Sequence, residues 1–320
     1  MALPRSAGGC IVSPAEKSKF IIGGETIGPL DIVGLTPLLA RTRGRPEIIV
    51  GVIDGPAALD HPDLAGQRIH QIAGTPPAAC VNRDSAACAH GTFVAGMLAG
   101  KRGSVAPAIC PDCSFLLRPI FSETEPRNGI IPTTTPDALA AAIVDCVEAR
   151  ARILNLSLNL TGFASTGEGH LNDALSFAAS RGVIPVVAAA NYGALGSPTL
   201  TGHSWAIPVM ACDYLGRPLQ GSILSAQVGR RGVSAPGKEI TSLGANGHSL
   251  TISGTSAATA FVTGAIALLW SELPAVKAAD MRFAVTNYSP RRRAGLVAPI
   301  LNAWSSYRVL TAGHSPHWPV

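Results

Sequence analysis

Hydrophobic positions along the chain fall into two periods. Short β-branched runs at 48–53 (IIVGVI), 113–121 (CSFLLRPIF), 152–158 (RILNLSL) and 183–190 (VIPVVAAA) have the length and residue types of buried strands. Trp205 to Ala211 reads as one more. Helical patterns lie between and after them. Residues 90–100 (HGTFVAGMLAG) predict a small-residue helix with a polar start at His90. Residues 135–151 carry Pro136 where a first helical position is expected, and 169–182 form an amphipathic pattern closing on Gly182 as a C′ glycine. Residues 253–270 (SGTSAATAFVTGAIALLW) enter through Ser and Thr and continue as a small, apolar run, which predicts a buried helix. Strands alternating with helices of these lengths predict an α/β fold, a mainly parallel central sheet with helices on both faces.

In such sheets working residues gather at the carboxyl ends of the strands. Four polar positions fall there: Asp54, followed by the turn signal Gly55-Pro56, then Ser157 and Asn159, then Asn191. Composition supports one large domain. The chain has 320 residues, 47% hydrophobic and only 14% charged, enough to bury a substantial core. The expected organisation is an N-terminal extension over 1–45, the domain over 46–290, and a tail over 291–320 that packs on the domain or is partly disordered.

The net charge of +5 is scattered, and its one dense run, Arg291-Arg292-Arg293, reads as a solvated helix end. Without aromatic–basic interleaving, a nucleic-acid partner is not expected. No apolar segment is long and uncharged enough to span a bilayer, so no membrane partner is expected either. Met1 to Arg5 open no continuous apolar run, and Ala7-Gly8-Gly9-Cys10 lacks the hydrophobic stretch of a lipoprotein signal. With Met1 as a natural start, the expected location is the cytoplasm. Seven Cys is an odd number in a large chain and argues against a disulfide framework. Cys110-Pro111-Asp112-Cys113 has no second C-x-x-C or His pair to complete a metal site. Two free thiols is the expectation there, with a local bridge, Cys110–Cys113 or Cys80–Cys88, as the alternative.

Taken singly, Asp54 is a turn residue, His90 a polar helix start and Ser256 a helix cap. Together they supply an orienting acid, a base and a nucleophile, in the chain order Asp…His…Ser that one α/β peptidase fold uses. The surrounding residues carry the likeness further: VIDGPAALDHPDL around Asp54, HGTFVAGMLAG from His90 and GTSAATAFVTGAIALL around Ser256. Over about residues 48–272 the chain resembles the subtilisin-like serine peptidases of family S8.

The resemblance implies a subtilisin-like three-layer sandwich and a serine endopeptidase. Ser256 would attack, His90 would carry the proton and Asp54 would orient the imidazole. Asn191, after an Ala-rich strand, would complete the oxyanion hole; losing that donor costs on the order of 10²–10³ in turnover, a size measured on subtilisin itself. The family has Gly where Ala190 stands. Ser157, Leu158 and Asn159 correspond to the strand edge on which substrate backbone pairs. Phe121, Ser122 and Glu123 lie where the family has a substrate-flanking strand and loop; Glu123 and Glu125 would favour a basic substrate residue, or form a solvated acidic loop. The family's Pro-His, four and five residues after the nucleophile, is replaced by Ala260-Phe261.

The segment 33–64 followed by CAHGTFVAGMLAG looks particularly like the cyanobactin-type protease domains, which trim leader or follower peptides from ribosomal precursors; some of them cyclise the product. The macrocyclising members carry a helical insertion between the Asp and His motifs. Here that interval of about 35 residues reads as a loop, which favours hydrolysis. The expected partner is a peptide or precursor peptide. The chemistry needs no cofactor. Structural calcium is common in the family, but no carboxylate cluster marks a site, and no metal is assigned. A macrocyclase, a general intracellular protease or a catalytically silent peptide-binding relative are the alternatives, and nothing in the sequence sets the oligomeric state.

Overall fold

The computed structural model describes residues 20–22, 25–74, 76, 79–123, 133–160, 167–189, 198–219, 225–287 and 295–312. Its centre is a seven-stranded sheet in which every pairing is parallel. In chain order the strands are β1 (Ile49–Asp54), β2 (Ile69–Gln71), β3 (Ser114–Pro119), β4 (Ile153–Leu156), β5 (Ile184–Ala188), β6 (Ile207–Cys212) and β7 (Val233–Pro236). Their order across the sheet is β7-β6-β5-β4-β1-β3-β2, so β1 and β4 are central neighbours. Six helices matter for the site: α1 (Ala86–Ala99), α2 (Pro136–Glu148), α3 (Glu168–Ser180), α4 (Thr255–Glu272), α5 (Ala278–Asn287) and α6 (Ala303–Ala312). The result is the three-layer α/β sandwich that the alternating pattern predicts.

Strand parity divides the core in two. Val50 and Val52 of β1 join the cluster that holds α1 and α4, whereas Ile53 joins the cluster built on α2 and α3. Successive side chains of a strand point to opposite faces. Asp54, in step with Val50 and Val52, is therefore directed to the face of α1 and α4. The same rule sends Asn155 and Ser157 of the β4 edge to that face, while Leu154 and Leu156 pack with α2 and α3. Helix α4 is buried on all sides from Thr255 to Ser271. A helix apolar all round can only be an interior one, which is why its sequence shows no polar stripe.

Two element boundaries differ from the sequence expectation. Helix α1 begins at Ala86, not at His90: Ser85 is its N-cap and accepts from Cys88 N at 3.1 Å. His90 therefore sits one turn inside. Helix α4 has Gly254 at the N-cap position with no side-chain cap bond, and Ser253 Oγ instead accepts from Glu239 N at 2.9 Å. The termini expected of α2 and α3 follow the sequence. Thr135 caps α2 with Pro136 as its first residue, and Gly182 takes the left-handed conformation (φ +69°) just after α3.

The flanks of the domain share its core. Val33, Leu35 and Leu38 near the N-terminal side, and Leu301, Ala303 and Leu310 near the C-terminal side, are buried in the cluster that holds α1 and α4. Ala303 N donates to Val33 O at 2.8 Å, and Ser306 Oγ donates to Ala284 O at 3.1 Å. Cysteine pairing partly departs from expectation. Cys110 and Cys113 are free and buried, as are Cys146 and Cys212, but Cys80 and Cys88 form a disulfide. A bridge spanning 8 residues needs only local approach, so an odd cysteine count does not exclude it. No helix among the described residues is long and apolar enough to cross a membrane.

Candidate active site

The three candidate catalytic side chains stand in one hydrogen-bonded line at the carboxyl edge of the sheet. His90 Nδ1 lies 2.6 Å from Asp54 Oδ1, and His90 Nε2 lies 2.9 Å from Ser256 Oγ. Each is delivered by a different element: Asp54 by the last residue of β1, His90 by the second turn of α1, Ser256 by the first turn of α4. Asp54 is fully buried and Ser256 nearly so, while the His90 side chain keeps 14% exposure. The line thus runs from the interior to an accessible imidazole.

The close approach of α1 to β1 depends on two glycines. A Cβ on Gly55 would lie 2.0 Å from the carbonyl oxygen of Ala87, and one on Gly91 would lie 2.4 Å from the carbonyl oxygens of Gly55 and Pro56. Real Cβ atoms do not approach backbone oxygens so closely, and only glycine lets the two backbones touch. Thr92 adds a tie, its Oγ1 accepting from Ala58 N at 3.0 Å. Asp54 Oδ1 also accepts from Gly55 N at 2.7 Å, whereas Oδ2 has no partner among the described residues. A buried carboxylate oxygen without a donor is costly, and the nearby imidazole is the group that can offset its charge.

Burial works against the charged form of His90, but the charge of Asp54 and the bond to it prevail and raise its pKa above the ordinary imidazole value. A base acts only when neutral, so activity should fall as pH drops through the His90 pKa. We expect the acid limb of kcat/KM to have its midpoint above about 6.5. A pH–rate profile checks this, and a midpoint at or below that value would contradict the geometry.

Behind Ser256 runs a buried polar ladder. Thr263 Oγ1 donates to Asn155 Oδ1 at 2.9 Å, Asn155 Nδ2 to Ser157 Oγ at 2.8 Å, and Ser157 Oγ to the Ser256 carbonyl at 3.3 Å. It joins β4 to α4 and fixes where the first turn of α4 meets the sheet. Sequence reading placed Ser157 and Leu158 among substrate contacts. That reading concerned the backbone of this edge; the side chains are buried, Ser157 in this ladder and Leu158 in the core shared with α2 and α3. Only their backbone remains for a substrate. Phe121 is likewise buried in that core, and Ser122 is half-buried.

Glu123 is committed elsewhere. Its carboxylate accepts from Val81 N (3.1 and 3.0 Å), from Asn82 N (3.0 Å) and from Ser85 Oγ (3.4 Å). This departs from both expectations, a group that favours a basic substrate residue and a solvated acidic loop: its lone pairs hold the chain that leads into α1. Nothing in the sequence spacing pointed to this partnership across about forty residues. Asn191, Ala190 and Glu125 lie outside the described residues, as does the side chain of Asn159. The backbone of Asn159–Leu160 pairs with Thr133–Thr134 in a short parallel ladder. Where the family has Pro-His, Ala260 and Phe261 are fully buried, and α4 continues through them unbroken.

Among the described residues one grouping could offer metal donors, Cys80, Cys88 and Glu123, and its two sulfurs are bonded to each other. A separate concavity of about 500 Å³ lies between α2 and α3, lined by Asp137, Val144, His170 and Phe177, with His170 paired to Asp137 at 2.8 Å. It belongs to the helical layer across the sheet from α1 and α4.

The fold has counterparts among known proteins. The model of the Subtilase family (Peptidase S8) matches residues 45–299. The chain belongs to the Subtilase family. Fervidolysin of Fervidobacterium pennivorans is 29% identical over 81% of this chain and 39% of its own length. The thermostable alkaline protease of Halalkalibacterium halodurans is 28% identical over 68% of this chain and 54% of its own. The chain therefore spans roughly two fifths to one half of these relatives. Solved structures match it nearly end to end. A mutant of the protease domain of PatA superposes with a TM-score of 0.75 at 31% identity, covering 84% of this chain and 97% of that one. The prenylagaramide maturation protease PagA gives 0.73 at 26%, covering 87% and 98%. The PatG macrocyclase in complex with peptide shares the fold, with a TM-score of 0.74 at 21% identity over 88% and 96%. The family and the likeness to maturation proteases agree with the sequence reading.

Proposed function

We propose that this subtilase is a serine endopeptidase that hydrolyses a peptide bond in a precursor peptide, as an early step of ribosomal peptide maturation. The observation that carries the reading is the unbroken line Ser256 Oγ–His90 Nε2 and His90 Nδ1–Asp54 Oδ1 at the carboxyl edge of the sheet. In the first half-reaction, Ser256 Oγ bonds to the scissile carbonyl carbon while its proton passes to His90 Nε2. The C–N bond then breaks as that proton moves to the leaving amine. Water repeats the sequence on the acyl-enzyme, and Asp54 holds the imidazole and offsets its charge throughout. Asn191 is proposed as the side-chain oxyanion donor, joined by the N-terminus of α4, whose partial positive charge favours the developing oxyanion. Substrate backbone is proposed to pair along Ser157–Asn159 and the segment after Phe121.

Hydrolysis is favoured over cyclisation because, among the described residues between Asp54 and Ser85, no helix stands that could cover an acyl-enzyme. The likeness to PatA and PagA, named as maturation proteases, supports a precursor peptide as substrate. A cytoplasmic setting remains part of the proposal, and there the Cys80–Cys88 bridge would depend on the local thiol–disulfide balance.

Incubation with a fluorophosphonate tests the chemistry. We expect one covalent adduct, mapped by peptide mass to Ser256 and missing from Ser256→Ala. No adduct on folded wild-type protein, or an equal one on the variant, would sink the enzyme reading. Product masses from a precursor peptide then separate added water from a ring lacking it.

A further inference from the structure

The segment that leads into α1 is clasped from two sides. On one side Cys80, half-buried, is bonded to the fully buried Cys88 in the first turn of α1. On the other, Glu123, just past the carboxyl end of β3, accepts from the backbone of Val81 and Asn82 and from the hydroxyl of Ser85. Ser85 is the cap of α1, so the proton it donates to Glu123 leaves its lone pairs free for Cys88 N. One carboxylate thus holds both the strap and the helix cap. The strap also begins beside the Asp54 turn, since Ala79 pairs with Ala57.

The first turn of α1 is the abutment that sets the distance from His90 to Asp54. Ala87 presses its carbonyl on Gly55, and Cys88 packs with Ala58 and Ala245 and lies 3.8 Å from Thr92 Oγ1. His90 follows Cys88 by two residues. A shift of this turn therefore moves the imidazole relative to a carboxylate that β1 fixes in the sheet.

We propose that Glu123 and the Cys80–Cys88 bridge act as positioning residues for His90, forming a thiol-sensitive clasp whose release slows acyl transfer. The inference rests on the reading of Ser256, His90 and Asp54 as an acyl-transfer site. In the release step a dithiol gives the bridge two electrons and two protons. The sulfur–sulfur bond breaks, Cys80 and Cys88 become thiols, and the dithiol closes to its own disulfide. The four other described cysteines are buried free thiols and take no part. Glu123 remains as the second hold, so release loosens the turn without unfolding it.

The test is the kinetics of fluorophosphonate labelling, normalised to the titre of labelled Ser256, with melting temperature followed in parallel. Treatment with dithiothreitol, verified by the appearance of the two bridge thiols, should lower the maximal labelling rate about three- to tenfold. That is well short of the ~10² that a full ångström of misplacement costs. The half-saturating probe concentration should stay the same. Glu123→Ala should act alike in the oxidised protein, and reduction of that variant, which has no second hold, should lower the rate by more than it does in wild type. Glu123→Gln, which keeps an acceptor oxygen, should recover most of the rate.

A merely structural clasp would lower the melting temperature or the titre and leave the rate per labelled site untouched, which would overturn the proposal. Should reduction unfold the chain, oxidised Glu123→Ala carries the test alone. Wild type that labels normally both oxidised and reduced refutes the clasp and spares the protease; wild type that never labels refutes both.

Discussion

Replacing His90 by Ala is expected to cut turnover by on the order of 10⁶-fold, the size of the same deletion in subtilisin itself. His90 bonds to Asp54 at 2.6 Å and Ser256 at 2.9 Å, so without it the serine hydroxyl has no acceptor for its proton. Because the three residues act as a unit, the double variant His90→Ala with Ser256→Ala should be no slower than His90→Ala alone. Steady-state rates on one peptide, measured for the single and double variants, decide it. Losses that multiply would mean that Ser256 and His90 act independently, which the geometry does not allow.

Gly91→Ala is expected to be the most damaging substitution at a residue that touches no substrate. The new Cβ would fall 2.4 Å from the carbonyl oxygens of Gly55 and Pro56, and neither can retreat, because Gly55 is itself pressed on Ala87 O. Helix α1 must move away from β1 and carry His90 with it. Overpacking of this kind costs about 1–3 kcal/mol of stability, and displacing a catalytic group by an ångström costs about 10² in rate. Gly169→Ala is the control. No atom lies within 4 Å of its new Cβ, and it sits in α3, so it should be neutral or stabilising by up to about 1 kcal/mol. Thermal melts and turnover of the two variants, measured together, check this. Equal behaviour would mean that the α1–β1 contact does not control the site.

Much of the site was legible because its logic is local. A β-branched run ending in Asp, a His-Gly-Thr helix and a Gly-Thr-Ser helix entry each carry their structure in a few residues, and the period of 2 in β1 already assigns Asp54 to one face. The same parity along β4 places the Ser157 side chain opposite Leu156, facing α4.

What stayed hidden was of two kinds. The start of α1 was misplaced because Ala86-Ala87-Cys88-Ala89 is buried or half-buried and shows no polar stripe; the cap at Ser85 was the only local signal. The roles of Glu123 and the Cys80–Cys88 bridge depend on contacts that only the folded chain creates. A carboxylate bound to backbone amides some forty positions away leaves no periodicity to find, and seven cysteines permit many pairings.

The joining of the two flanks bears on when the site can come into being. Helix α4 carries Ser256 and packs against α6, while Leu301, Ala303 and Leu310 close the core beside Val33 and Leu38. A chain shortened to residue 300 would still contain Asp54, His90 and Ser256, but α4 would lack its contact with α6, and Val33 would lack its tie to Ala303. The surroundings of Ser256 thus close only when residues 301–312 are in place.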